Sequence, residues 1–201
     1  MTEATQEGIQ AKRQAIIEAA IDIFAKQGYE ETTIAQIAAA AGVAVGTVYL
    51  YFHNKREIYT QISINWAERL AAALRDPRIQ ALPVRQAPRA IIETVFRLCH
   101  DSSKFMSLFQ VDIQSAEELQ KHKDADQAIS SLVESFFQGA IAQGELAPFD
   151  TTMYAKLLFG LVHSAVFECY CVQEGRNEDE FRERTIELIE RLFFGPPLAV
   201  A

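Results

Sequence analysis

Apolar residues recur at helical spacing along nearly the whole chain, and no run of alternating apolar and polar positions suggests a sheet. The pattern predicts an all-α fold of about nine helices. From Gln10 to Gln27, Ile16, Ile17, Ala20, Ile21 and Phe24 form one stripe, and Gly28 stands where a left-handed residue would close a first helix. Thr33, with Gln36 three residues on, offers a capping box for a second helix that reaches about Ala41 and buries Ile34, Ile37, Ala38 and Ala41. Gly42 permits a tight turn into a short third helix, about Val45 to Phe52. Asn54 and Glu57 repeat the capping logic ahead of a fourth helix that runs to about Arg75.

The proline-bearing segment from Asp76 to Pro88 breaks this pattern and reads as a linker or loop between the first four helices and the rest. Beyond it, helices are expected near Arg89 to His100, Lys104 to Ile113, Ala125 to Gln143, Thr151 to Val172 and Glu178 to Phe194, with a frayed tail. The longest apolar stretch, Leu157 to Val172, is shorter than the ~20 residues of a membrane span and contains His163 and Glu168. It reads as a buried helix.

Composition narrows the possibilities. The 201 residues are 49% hydrophobic and 23% charged, enough for a substantial core, and no leader pattern precedes the first helix, so a cytoplasmic protein is expected. The net charge is −8, and the first 57 residues carry five basic against seven acidic side chains. Bulk electrostatic coating of nucleic acid is therefore disfavoured, and any DNA contact must be local. Cys99, Cys169 and Cys171 are too few for a disulfide framework. On an α-helix the last two point about 200° apart and His163 is misaligned with them, so no metal site is expected and the thiols read as small hydrophobes rather than a redox switch. No nucleophile elbow, phosphate loop, zinc-protease or dinucleotide motif occurs, so neither catalysis nor a cofactor is expected.

What remains is the segment from Gly42 to Glu57. A helix-turn-helix needs small residues on its first helix, a glycine in its turn and a second helix to enter the major groove. Here Ile37, Ala41, Val43, Val48 and Phe52 can form its small core, which leaves Val45, Thr47, Tyr49, Leu50, Tyr51 and His53 as candidates for the outward face. Gly46 costs roughly 1 kcal/mol of helix propensity, which a close approach of backbone to phosphate would explain.

With Thr33, Ile37, Ala38, Ala41, Gly42, Val43, Gly46, Thr47, Tyr49, Tyr51, Phe52, Asn54 and Lys55 in register, this segment closely resembles the TetR family of transcriptional repressors. The resemblance implies a DNA-binding unit over residues 1–55 and a ligand-binding and dimerisation unit over 56–201. It implies that Thr33 meets a phosphate, that Val45, Gly46 and Thr47 approach bases or backbone, that Tyr49 and Tyr51 touch phosphates or base edges, and that Lys55 clamps a phosphate. His53 belongs to the same set at a variable position. Ala44 replaces a frequent capping serine, so the third helix starts without a hydroxyl cap. Lys12 and Arg13 are either solvated charges or lie along a phosphate strand.

The second half carries more aromatic and sulfur side chains than one face per helix needs, and such side chains line apolar pockets. The expected pocket set is Phe96, Cys99, Phe105, Met106, Phe109, Phe137, Phe159, His163 and Phe167. The last two helices resemble the family's four-helix dimer interface, through Leu157, Leu158, Leu161, Val162 and Ala165 on one and Ile186, Ile189, Leu192 and Phe193 on the other. Residues 108–146 resemble the TetR-type regulators of fatty-acid degradation that respond to long-chain acyl-CoA, whose anionic head would call for Arg85, Arg89, Arg97 or Lys104. The expected partners are thus operator DNA, a second copy of the chain and a small hydrophobic effector, for which acyl-CoA is a candidate, with no membrane. The alternatives are a repressor of an efflux or catabolic operon with another lipophilic effector, and a helical acyl carrier that never touches DNA.

Overall fold

The computed structural model describes residues 3–102 and 116–195. It contains α1 (Glu3–Gln27), α2 (Ile34–Ala40), α3 (Val45–Tyr51), α4 (Lys55–Leu74), α5 (Pro77–Gln80), α6 (Ala87–Asp101), α7 (Ala116–Ala142), α8 (Thr151–Phe167) and α9 (Glu178–Phe194). A π-helical turn, Glu168–Val172, continues α8. Among the described residues there is no strand, so the chain is all-α. The expected helix Lys104 to Ile113 lies outside the described residues.

Local signals set most of the helix ends. The Thr33 hydroxyl accepts the Gln36 N–H at 3.3 Å, and the Gln36 side chain accepts the Thr33 N–H at 2.8 Å, which completes the capping box of α2. Gly42 has φ +67°, and the N–H groups of Gly42 and Val43 donate to Ala39 and Ala38, a Schellman closure that turns the chain into α3. At α4 the capping box is shifted by one residue. The Asn54 side chain accepts the Glu57 N–H at 2.8 Å, but the Glu57 carboxylate returns to the His53 N–H, at 2.7 Å.

The segment from Asp76 to Pro88 is not a linker. Pro77 and Pro88 sit in the first turns of α5 and α6, where a missing N–H costs nothing and a fixed φ helps. Asp76 caps α5 through the Arg78 N–H, and hydrogen bonds to the Arg78 side chain and backbone hold its carboxyl down to about 2. Val84 and Ala87 are buried, and the Val84 N–H donates to Glu145 at 3.0 Å, which pins the segment to the end of α7. The prolines therefore start helices rather than separate domains.

One continuous core runs from Ile16, Ile17 and Phe24 of α1, through Ile37, Val48 and Phe52, to Phe96, Ile129 and Ile186. Helix α4 carries it between the two halves and packs against α1, α6 and α7. Its Ile58, Tyr59 and Ile62 are buried near one end, and its Leu70, Ala71 and Leu74 near the other.

Helix α8 is not the buried helix its composition suggests. Counted with the π turn it spans 22 residues and is, by length and composition alone, long and apolar enough to cross a bilayer. Within α8 only Ala155 and Val166 are buried, while Met153, Tyr154 and Leu157 are exposed. The π turn that follows drives Tyr170 inward, where its hydroxyl donates to the Phe96 carbonyl at 3.0 Å. Cys99 and Cys169 are fully buried and Cys171 half-buried, and burial pushes the thiols of Cys169 and Cys171 up to about 11. Protonated thiols of this kind are poor nucleophiles and poor ligands.

Two outcomes are expected of the folded chain. Gly42→Ala, which forces a side chain to positive φ, lowers stability by about 1 kcal/mol or more, measurable by chemical denaturation. His100 at the end of α6 contacts Glu178 at the start of α9 at 2.8 Å, and this hydrogen bond raises the His100 pKa. A raised folded-state pKa gives stability that is fully present below the unfolded value of about 6.5 and is lost as pH climbs through the folded value. His100→Gln should therefore lower the thermal midpoint at about pH 6 and make no difference at about pH 9.

Candidate DNA interface and effector cavity

Helix α3 has only seven residues, so its two faces are easily distinguished. Val48, and Phe52 just beyond the helix end, point into the core and are fully buried. At about 100° per residue, Gly46 lies at the middle of the opposite face, with Tyr49 and Leu50 flanking it one turn on. Tyr49 is 51% exposed, Leu50 81% and Val45 41%. A Cβ built on Gly46 would meet nothing within 4 Å, so no neighbour in the chain requires a glycine there. Ala44 provides no side-chain cap.

The other sequence-predicted DNA residues divide. His53 and Thr33 are exposed, although the Thr33 hydroxyl is engaged in the α2 capping box. Thr47 and Tyr51 are half-buried, and Tyr51 packs against the core. Lys55 does not point outward as a phosphate clamp would. Its ammonium donates to the carbonyls of Tyr29 and Glu30, the latter at 3.0 Å, and covers the Tyr29 ring at 4.3 Å. The Tyr29 carbonyl also accepts the Thr32 N–H at 3.2 Å, and the cation adds a second donor to it. Arg13 similarly lies over the Phe52 ring, 5.2 Å from its centroid.

The second half encloses a cavity of about 320 Å³ between α4, α6, α7, α8 and α9. Of the nine pocket residues expected from sequence, Phe137, Phe159, His163 and Phe167 line it. Phe96 and Cys99 do not; both are fully buried behind the wall, with the Phe96 ring 6.3 Å from that of Tyr170. Phe105, Met106 and Phe109 lie outside the described residues, as does Lys104. Sequence reasoning missed the contribution of α4, whose Tyr59, Ser63, Trp66 and Leu70 form one wall. The available signal was that α4 carries apolar residues on more than one face. Lys121 and Asp126 add charge to a lining that is otherwise mostly apolar. Of the candidate cations outside, Arg89 pairs with Glu183 at 3.1 Å, whereas Arg85 lies over Phe194 on the cavity wall, 5.0 Å from the ring centroid. Arg97 is exposed on α6.

The same cavity corrects the expected dimer face. Leu158, Val162, Ile189 and Phe193 line the cavity, Ile186 is fully buried, and Leu161 and Ala165 are half-buried against the core. Phe193 stacks on Phe137 with ring centroids 5.2 Å apart. The expected interface thus mixed two apolar faces of α8 and α9: most of its residues look inward, whereas Leu157 and Leu192 look outward. The exposed apolar side chains are Met153 and Leu157 on α8 and Leu188 and Leu192 on α9, with Leu157 63% and Leu192 61% exposed. Gly160 continues the α8 stripe, with open space around it.

A groove-sized helix set on a helix-turn-helix, coupled to an apolar cavity, defines a DNA-binding regulator with an effector pocket. Residues 16–62 match the family profile described as bacterial regulatory proteins, tetR family. The fatty acid metabolism regulator protein of Bacillus subtilis is 25% identical over 158 residues, 77% of this chain and 81% of that protein. The fold is shared with the fatty acid degradation regulator FadR from Bacillus halodurans, at a TM-score of 0.78 and 21% identity, over 89% of this chain and 94% of that one. It is also shared with FadR from Bacillus subtilis in complex with stearoyl-CoA, at a TM-score of 0.76 and 21% identity, over 91% and 98%. The chain is a TetR-family transcriptional regulator.

Gly46 supplies a prediction that separates fold from interface. Gly46→Ala should raise stability by up to about 1 kcal/mol in denaturant unfolding, since space is free and alanine favours helix. In a DNA-binding titration the same variant should be weaker than wild type, because the added methyl stands between backbone and groove.

Proposed function

We infer that the chain is a homodimeric repressor that binds a palindromic operator and is released by a long-chain acyl-CoA or a related lipophilic anion. The observation that carries this reading is helix α4, which presents Tyr59 to the cavity and sets the same ring edge-on to Tyr29, 5.6 Å away, beside the α2–α3 unit. A ligand that moves α4 must then move the helix-turn-helix. The bound stearoyl-CoA of the Bacillus subtilis relative supports an acyl chain as occupant, and a volume of about 320 Å³ lies at the small end of the range for ligand clefts. Arg85 is the cation best placed for an anionic head near the cavity wall. Thr33, Val45, Gly46, Thr47, Tyr49, Tyr51 and His53 remain the DNA-contacting set.

Dimerisation follows from the exposed stripe of Met153, Leu157, Gly160, Leu188 and Leu192. A mid-helix glycine with free space and exposed leucines beside it suits close packing of a second copy. One recognition helix buries too little surface for tight binding, whereas two held about a helical turn apart read both half-sites.

Fluorescence anisotropy on labelled DNA from upstream of the gene tests the reading, with palmitoyl-CoA as effector. Tight specific binding that palmitoyl-CoA reverses is expected, and Tyr49→Ala should lose DNA while retaining acyl-CoA. Binding that ignores palmitoyl-CoA would point to another effector and an efflux or catabolic operon. Acyl-CoA uptake without affinity for any DNA would make the protein a carrier. The double variant Leu157→Glu, Leu192→Glu should sediment as a monomer and bind operator at least tenfold more weakly.

A further inference from the structure

The outward face of α3 has an unusual chemical make-up for a base-reading surface. Its sequence, VGTVYLY, contains no arginine, lysine, asparagine or glutamine, the side chains that make bidentate hydrogen bonds to guanine or adenine edges. The nearest such groups are occupied within the fold. Gln36 accepts from the Thr33 N–H, the Asn54 oxygen accepts the Glu57 N–H, and Lys55 is turned onto Tyr29 and Glu30. Besides the hydroxyls of Thr47 and Tyr49, what the helix offers is aliphatic. Leu50 is the most exposed of the large hydrophobic side chains described, at 81%, and it lies only about 40° round the helix from Gly46.

Side chains on a helix lean towards its N-terminus, so the Leu50 methyls lie over the turn that contains Gly46, four residues back. A backbone that approaches the groove closely at Gly46 therefore brings the Leu50 methyls to the base edges first. In the major groove the apolar group available to meet them is the C5-methyl of thymine. We propose that α3 reads its half-site chiefly through thymine C5-methyl groups, with Leu50 as the specificity-determining contact. Selectivity then rests on methyl burial and groove shape rather than on hydrogen-bond pairing. This inference rests on the DNA-binding reading above, and the test separates their failures.

The test starts from operator fragments selected by the full-length protein out of random DNA, in which each thymine is replaced in turn by uracil, which lacks only that methyl. At one or more positions per half-site, wild-type affinity should fall about fourfold, as ~0.8 kcal/mol per buried methyl-sized group converts. Leu50→Ala, at a solvent-exposed position and checked for an unchanged thermal midpoint, should bind the thymine operator several-fold more weakly. It should also lose the distinction between thymine and uracil at its own position. Replacing the sensitive thymine–adenine pair by 5-methylcytosine–guanine, which keeps the methyl, should bind better than the unmethylated cytosine pair. Uracil tolerated everywhere would overturn the methyl inference and leave the regulator reading intact. Full thymine sensitivity in Leu50→Ala would overturn the role of Leu50. Failure to select any DNA would overturn both readings together.

Discussion

The arrangement depends on α4 joining both ends of one core. At its first turn Lys55 closes the loop after α1 through the carbonyls of Tyr29 and Glu30, and one turn later Tyr59 packs its ring against Tyr29. From Tyr59 to Leu74 the helix is a wall of the apolar cavity. A helix gripped at one end by a charge-assisted contact and an aromatic pair, and pressed along its length by whatever fills the cavity, cannot shift at one end alone. Packed interiors transmit such displacements because they have little free volume to absorb them. On the proposed function, α4 is what would make the cavity and the helix-turn-helix one mechanical unit.

Charge is the second constraint. A chain with a net charge of −8 is repelled by DNA at long range, and its DNA-binding segment has an excess of acid. Two of its few cations, Arg13 and Lys55, are already stacked on Phe52 and Tyr29. Affinity must therefore come from close fit over a short surface, which the proposed dimer would double. Gly46, the bare aliphatic face of α3 and the exposed apolar stripe on α8 and α9 all answer that need. Each leaves the isolated chain less favourable than it could be, by a helix-breaking residue or by apolar surface in water, a cost that the proposed DNA and dimer contacts would offset.

The sequence disclosed local structure well and facing poorly. Capping at Thr33 and Asn54, the turn at Gly42 and the inward set Ile37, Val48 and Phe52 depend on neighbours within a few residues, so local chemistry reveals them. Which of two apolar faces of α8 looks inward depends on where α7 and α9 sit, and nothing near Leu158 or Leu157 encodes that. Prolines 77 and 88 misled because the same ring that breaks a helix interior suits its first turn. Phe96 was assigned to the pocket by type, yet Tyr170 holds it one layer behind the wall, through a π turn that α-helical periodicity does not anticipate. The outward side of α3 was legible because Gly46, Tyr49 and Leu50 share one side of a helix too short to hide them.

On the proposed function, effector and operator compete through a single protein equilibrium. Thermodynamic reciprocity gives the most direct measurement: the affinity of palmitoyl-CoA for the dimer, by calorimetry, free and on saturating operator. If α4 couples the two sites, operator should weaken palmitoyl-CoA binding by the same factor by which palmitoyl-CoA weakens operator binding, about five- to 150-fold for typical couplings. An acyl-CoA affinity unchanged by bound operator would contradict the coupling, however tightly each ligand binds alone.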